Sequence, residues 1–144
     1  MTRAVFDANV LAPAFANPTA TAGRLIALWQ AGGFELVVSE HVIAELRRTY
    51  ADRYYAARMT SQQVDAAVAA LRAAALVTIL TVPVSGVATH PEDDLILSTA
   101  LSAGADFLCT RDRQLLKLGM YQGLRIVSPG HLLALLTNDE EEQP

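Results

Sequence analysis

Residues 4–11 read Ala4-Val5-Phe6-Asp7-Ala8-Asn9-Val10-Leu11, an apolar run broken by one carboxylate and one carboxamide. How this run is read decides the fold. Residues 3–10 have the composition of a buried strand. In a strand, period two puts Asp7 and Asn9 on the same side. A charged carboxylate among Val5, Phe6, Val10 and Leu11 is costly unless something pairs with it. The only basic residue nearby is Arg3. Asp7 therefore needs a partner from a distant part of the chain.

Outward from this strand, helical and strand-like segments alternate. Residues 19–32 form a helical pattern with Leu25, Ile26, Leu28 and Trp29 as apolar positions, stopped by Gly32 and Gly33. Residues 34–39 read as a second strand. Ser39 then caps a helix expected over 40–55, with Val42, Leu46, Tyr50 and Tyr54 in one stripe. A further helix over 60–75 presents Val64, Val68, Leu71 and Ala75 on one face. The β-branched run 76–82 reads as a strand ending at Pro83. Residues 90–105 read as a helix with Pro91 in its first turn and Gly104 at its end. Strands are expected at 106–110 and 124–127, helices at 112–119 and 128–136. Several strands are apolar throughout, as in a parallel sheet covered on both faces. The chain is an α/β protein with one domain over 1–137 and an acidic, disordered tail over 138–144.

Composition narrows the function. Hydrophobic residues make up 52% of 144 residues, which suits a folded core. No apolar run reaches the roughly 18 residues of a membrane helix. There is no signal-peptide pattern, and Cys109 alone builds neither a disulfide framework nor a thiolate metal site. A cytoplasmic location is expected. The net charge of −4 comes from Asp139, Glu140, Glu141 and Glu142; without them, 11 acids face 11 bases, ten of which are arginines. Arginine grips phosphate bidentately, so the balance permits a nucleic-acid substrate without requiring one.

In an open parallel sheet, ligands bind beyond the carboxyl ends of the strands. Asp7 lies at that end of the first strand, and Asp112 follows the strand that ends at Thr110. Glu45 lies two turns into the helix after the second strand. Asp93 and Asp94 open the helix after 76–82, and Asp93 shares a face with Ile96, Leu97 and Ala100. Each acid alone has an ordinary explanation, Asp112 as a helix cap and Glu92 to Asp94 as first-turn acids facing the helix dipole. Together they converge on one sheet edge. Crowded carboxylates need a counter-ion, and an all-oxygen cluster suits Mg²⁺ or Mn²⁺. A metal ion is then the missing partner of Asp7.

These segments resemble the PIN-domain ribonucleases, particularly the VapC-like toxins of bacterial toxin–antitoxin pairs. FDANVL (6–11) is similar to the family's opening motif, VVSEHVIAEL (37–46) to its serine-led helix with the second acid, and HPEDDLILSTALSAGADFLCTRD (90–112) to its third and fourth acids. The resemblance implies a three-layer α/β/α sandwich with a mostly parallel five-stranded sheet. It implies an acidic quartet of Asp7, Glu45, Asp93 and Asp112, oriented by Asn9, Ser39 and Thr110. Asp7, Asp93 and Asp112 would ligate Mg²⁺ or Mn²⁺, with Asp94 as an alternative to Asp93 or as holder of a second ion or a water. Glu45 or Asp112 would accept a proton from the attacking water. Relatives often carry a basic or amide residue where this chain has Leu95. Arg111, beside Asp112, is the candidate for holding RNA. A homodimer and a small antitoxin partner are implied as well.

The competing enzyme class is a haloacid-dehalogenase-like phosphatase, which also places an aspartate after its first strand. Such enzymes use a second aspartate two residues on as general acid, and here that position is Asn9. A non-enzymatic alternative is an inert RNA-binding PIN fold. His41, His90 and His131 form no metal-ligand pattern.

Overall fold

The computed structural model describes residues 1–141. Strand β1 (Arg3–Phe6) is as expected, with Ala4, Val5 and Phe6 excluded from solvent. The chain then departs from the expected course. The strand stops at Phe6, and helix α1 (Ala8–Ala16) begins at once with Asp7 as its N-cap, the Asp7 carboxylate accepting the Ala8 N–H at 2.8 Å. Asn9 is thus a first-turn helix residue and not a strand neighbour of Asp7. Helix α2 (Thr21–Gln30) packs on α1, and its Gly23 lets the loop cross closely, since a Cβ there would lie 2.4 Å from the Pro18 carbonyl oxygen.

Strand β2 (Glu35–Val38) leads to α3 (Glu40–Tyr50), whose first turn is capped by Ser39 accepting from Val42 N–H. The helix expected over 40–55 is two helices. It ends near Ala51, and a separate turn, α4 (Arg53–Ala56), is capped by Asp52. Tyr54 consequently leaves the buried stripe that Val42, Leu46 and Tyr50 keep. Helix α5 (Ser61–Ala74) starts with a reciprocal capping box between Thr60 and Gln63 and buries Val68 and Leu71.

Strand β3 (Leu76–Val77) is only two residues long, against the seven expected. After Thr78 bonds to the Val38 carbonyl, the chain is held by α6, with Ser102 Oγ accepting from both Thr81 and Val82 N–H at 2.9 Å. Helix α6 (Pro91–Ser102) leads to β4 (Phe107–Cys109), then α7 (Arg113–Leu118). A short β5 (Met120–Tyr121) turns back antiparallel into β6 (Leu124–Val127) through Gln122 and Gly123, both at positive φ, as a two-residue hairpin requires. This hairpin supplies a sixth strand, where five were expected. Helix α8 (Pro129–Glu141) closes the described chain. The helix carries past residue 137, the expected domain edge. The expectation of a disordered tail falls, for residues 142–144, outside the described residues.

The sheet order is β3-β2-β1-β4-β6-β5, with every pairing parallel except β5 with β6. This is an α/β fold with helices covering the sheet as an α/β/α sandwich. Phe6 stacks on Phe34 at 5.6 Å between ring centroids, within a core that includes Leu36, Leu97 and Leu108. Fully burying each such side chain contributes about 1.5–3 kcal/mol. The order has a functional consequence. From β1 the chain winds outward to β2 and β3, then returns to the other side of β1 with β4 and β6. The winding reverses between β1 and β4, and a crevice opens at their carboxyl ends. Among the described residues, no helix is long and apolar enough to cross a membrane.

Candidate active site

Asp7 follows β1, and Thr110 to Asp112 follow β4, so both sides of the crevice carry polar residues directly after buried strands. A pocket of about 280 Å³ lies there, lined by Asp7, Asn9, Glu45, Glu92, Asp93 and Asp112 together with Arg48 and Thr49. Other hollows, larger or more apolar, lie elsewhere on the surface, but none of them gathers acids in this way.

Asp7 is buried, and hydrogen bonds fix its geometry. Thr110 Oγ1 donates to Asp7 Oδ2 at 2.9 Å, and Asn9 Nδ2 points at the same oxygen at a longer 3.4 Å. Asn9 is itself fixed, since its Oδ1 accepts the Arg111 N–H at 3.0 Å. Burial raises the Asp7 pKa above the usual carboxylate value, opposed by the Thr110 and Ala8 donors and reinforced by the charge of Asp112. Asp112 caps α7, its Oδ1 accepting from Gln114 and Leu115 N–H at 2.8 and 3.1 Å. The cap and the pocket wall are therefore the same residue, and the two sequence explanations of Asp112 do not compete.

Asp93 lies half-buried in the pocket, its pKa raised first by burial and then by the charges of Asp112 and Asp7. Glu45 enters from α3. Burial, the Asp7 charge and the adjoining Glu92 carboxyl push its pKa to about 7. His41 Nε2 is 3.4 Å from Glu45 Oε1, yet no hydrogen bond aligns there and burial lowers the imidazole pKa. The contact is that of a neutral ring beside an acid, not an ion pair.

Two expected residues stand apart. Asp94 is more buried than Asp93 and turns away from the pocket. Its oxygens accept three backbone N–H groups, from Gly86, Val87 and Ala88, at 3.0, 3.2 and 2.7 Å. With both oxygens so engaged, it fastens the loop before α6. Ser39 caps α3 and shares a 3.0 Å hydrogen bond with Thr99, so it joins α3 to α6, outside the lining of the pocket. Arg111 is exposed; Asn9 holds its backbone N–H, but its side chain is not among those that line the pocket. Sequence reasoning missed Glu92, Arg48 and His41. Glu92 directly precedes Asp93 in the same first turn, the one signal that pointed to it.

Among the described residues, no three His, Cys, Asp or Glu side chains stand close enough together to hold a metal ion. The donor set nevertheless fits a hard cation. It is an open wall of carboxylate oxygens, and the pKa values of Asp7, Glu45 and Asp93 are raised first by burial and then by their neighbours' negative charge, both of which a bound cation would offset.

An acidic pocket at the switch point of a mostly parallel α/β sheet lies where such folds bind their ligands. Residues 3–114 match the PIN-domain family, and the chain belongs to it. No curated protein matches the chain. PIN domains are generally nucleases and typically use divalent metals.

Proposed function

We propose that this chain is a metal-dependent endoribonuclease that hydrolyses internal RNA phosphodiester bonds in the pocket between β1 and β4. The observation that supports this most is the convergence of Asp7, Glu45, Glu92, Asp93 and Asp112 on one pocket. Asp7, Asp93 and Asp112 are the residues to hold Mg²⁺ or Mn²⁺. When bound, such an ion polarises a phosphoryl oxygen and lowers the pKa of water. Thr110 and Asn9 keep the Asp7 carboxylate aimed at the pocket by the hydrogen bonds described. Glu45, with its pKa near 7, is matched to accepting a proton from the attacking water at neutral pH. Arg48 at the pocket wall and the exposed Arg111, next in sequence to Asp112, provide positive charge for the flanking phosphates.

The toxin role, a homodimer, a small antitoxin partner and a cytoplasmic location extend this reading through the resemblance to VapC-like toxins. The phosphatase alternative lacks its general acid. Asn9 occupies that position, and its amide is committed to Asp7 and Arg111. The test is cleavage of a mixed single-stranded RNA pool with Mg²⁺ and with Mn²⁺, alongside hydrolysis of a small phosphate ester. Internal cleavage that stops with chelator supports the ribonuclease. Phosphate released from the ester alone, or intact RNA with both metals from folded protein, refutes it.

A further inference from the structure

We propose that helix α4 and the turn after it form a stacking platform for a base of the single-stranded RNA entering the acidic pocket, with the Tyr54 ring as its surface. The inference rests on the ribonuclease reading and adds where the strand is held.

Helix α4 buries none of its own residues, and Tyr54 is 55% exposed. The ring is nonetheless held in place. The Arg58 guanidinium lies 3.7 Å from the Tyr54 ring centroid, and its Nη1 donates to the Tyr54 carbonyl at 2.8 Å. Tyr54 meets Tyr55 edge to face at 4.9 Å, and Tyr55 meets Tyr50 in the same way at 5.3 Å. Tyr50 is buried and anchored, its hydroxyl donating to the Ala12 carbonyl at 2.8 Å. A chain of rings thus runs from the core to solvent and ends in a flat face fixed by a cation. A local structural role accounts for the Arg58 contact, but not for an aromatic left half in water beside unpaired charge.

The platform continues from the pocket wall. Arg48 and Thr49 of the last turn of α3 line the pocket, and α4 follows at once at Arg53, packed against that helix. Charge indicates the occupant. Arg3, Arg47 and Arg72 have carboxylate partners, whereas among the described residues Arg53, Arg58 and Arg111 have none within 4.0 Å. An exposed aromatic face among unpaired arginines is the chemistry of single-stranded nucleic acid, bases stacking on the ring and phosphates meeting guanidinium groups.

The test uses the full chain carrying Asp7→Asn, so that RNA is bound without being cut. A short labelled single-stranded RNA and an abasic ribose-phosphate chain of equal length are titrated with Mg²⁺ present. Tyr54→Ala should weaken RNA binding about tenfold, while the abasic chain binds almost as before. Tyr54→Phe should restore the preference for bases. Arg58→Ala should weaken both probes and reduce the salt slope by about one. Unchanged RNA affinity in Tyr54→Ala, or equal loss for both probes, overturns the platform and leaves the ribonuclease reading standing. If the Asp7→Asn parent binds no RNA at low salt, the ribonuclease reading fails and the platform fails with it.

Discussion

Asp94 offers the sharpest separation between a ligand and a scaffold. Its carboxylate holds three backbone N–H groups of the 86–88 loop, and both oxygens are occupied. Replacing it with alanine leaves three partly buried donors without an acceptor and frees the loop that leads into α6. Hydrogen bonds to a charged group contribute about 1.5–3 kcal/mol each, though three on one group do not add in full. A total loss of about 3 kcal/mol is expected for Asp94→Ala. Asp94→Asn should lose somewhat less, since one oxygen remains but an NH₂ now faces donors. Urea unfolding followed by circular dichroism measures both, and Mn²⁺-induced shifts in melting temperature measure the metal response. The two variants should unfold at lower urea yet keep a Mn²⁺ shift wherever they remain folded. An Asp94→Asn protein as stable as wild type but deaf to Mn²⁺ would show that Asp94 is a metal ligand and that the loop bonds are incidental.

Asp7→Asn should stabilise the metal-free protein, because it removes a buried charge facing Asp112, and should abolish most of the Mn²⁺-induced melting shift. Equal Mn²⁺ shifts in wild type and variant would move the cation site elsewhere. The metal-free protein should also lose stability with rising pH. The Glu45 pKa stands at about 7 in the folded state against 4.5 ordinarily, so the folded state holds a proton that the unfolded chain has released. The stabilisation is complete below about pH 4.5 and is lost as pH rises through about 7, by about 1–2 kcal/mol once screening in an open pocket is allowed for. Glu45→Gln should flatten that slope in urea titrations taken between pH 5 and 8; an identical slope in the variant would contradict the assignment. Gly23→Ala should cost about 1–3 kcal/mol, since its Cβ would meet Pro18 and Asn17 backbone atoms at 2.4–2.6 Å. An unchanged unfolding midpoint would mean that the loop yields freely.

The alternation of apolar strands and patterned helices was legible because parallel strands are buried on both faces and show it as uninterrupted Val, Leu and Phe. The same property concealed α1. Val10, Leu11, Ala12 and Ala14 are all buried, so no amphipathic period distinguishes this helix from a continuing strand. Asp7 was recognised as anomalous, but its role as an N-cap depends on backbone geometry. The short β3 was misjudged because the β-branched Thr78, Ile79, Thr81 and Val82 favour extension, while Ser98 and Ser102 of α6 bond to the backbone of Thr81 and Val82 instead. The β5–β6 hairpin turns on Gln122 and Gly123, a weaker signal than Asn-Gly. In the site, strand ends brought Asp7 and Asp112 together as expected. Helical phase placed Asp93 in the pocket, yet it could not foresee that Asp94 would be claimed by loop amides.

The most direct measurement is the single-turnover cleavage rate of one RNA that the wild type cuts, followed across a Mn²⁺ titration for wild type and Asp7→Asn. The wild-type rate should rise with Mn²⁺ to a plateau and fall to background with chelator, while Asp7→Asn, folded and still binding the RNA, should show no rise. Equal rates in the two proteins, or a wild-type rate indifferent to the metal, would contradict an acidic pocket built to cut RNA.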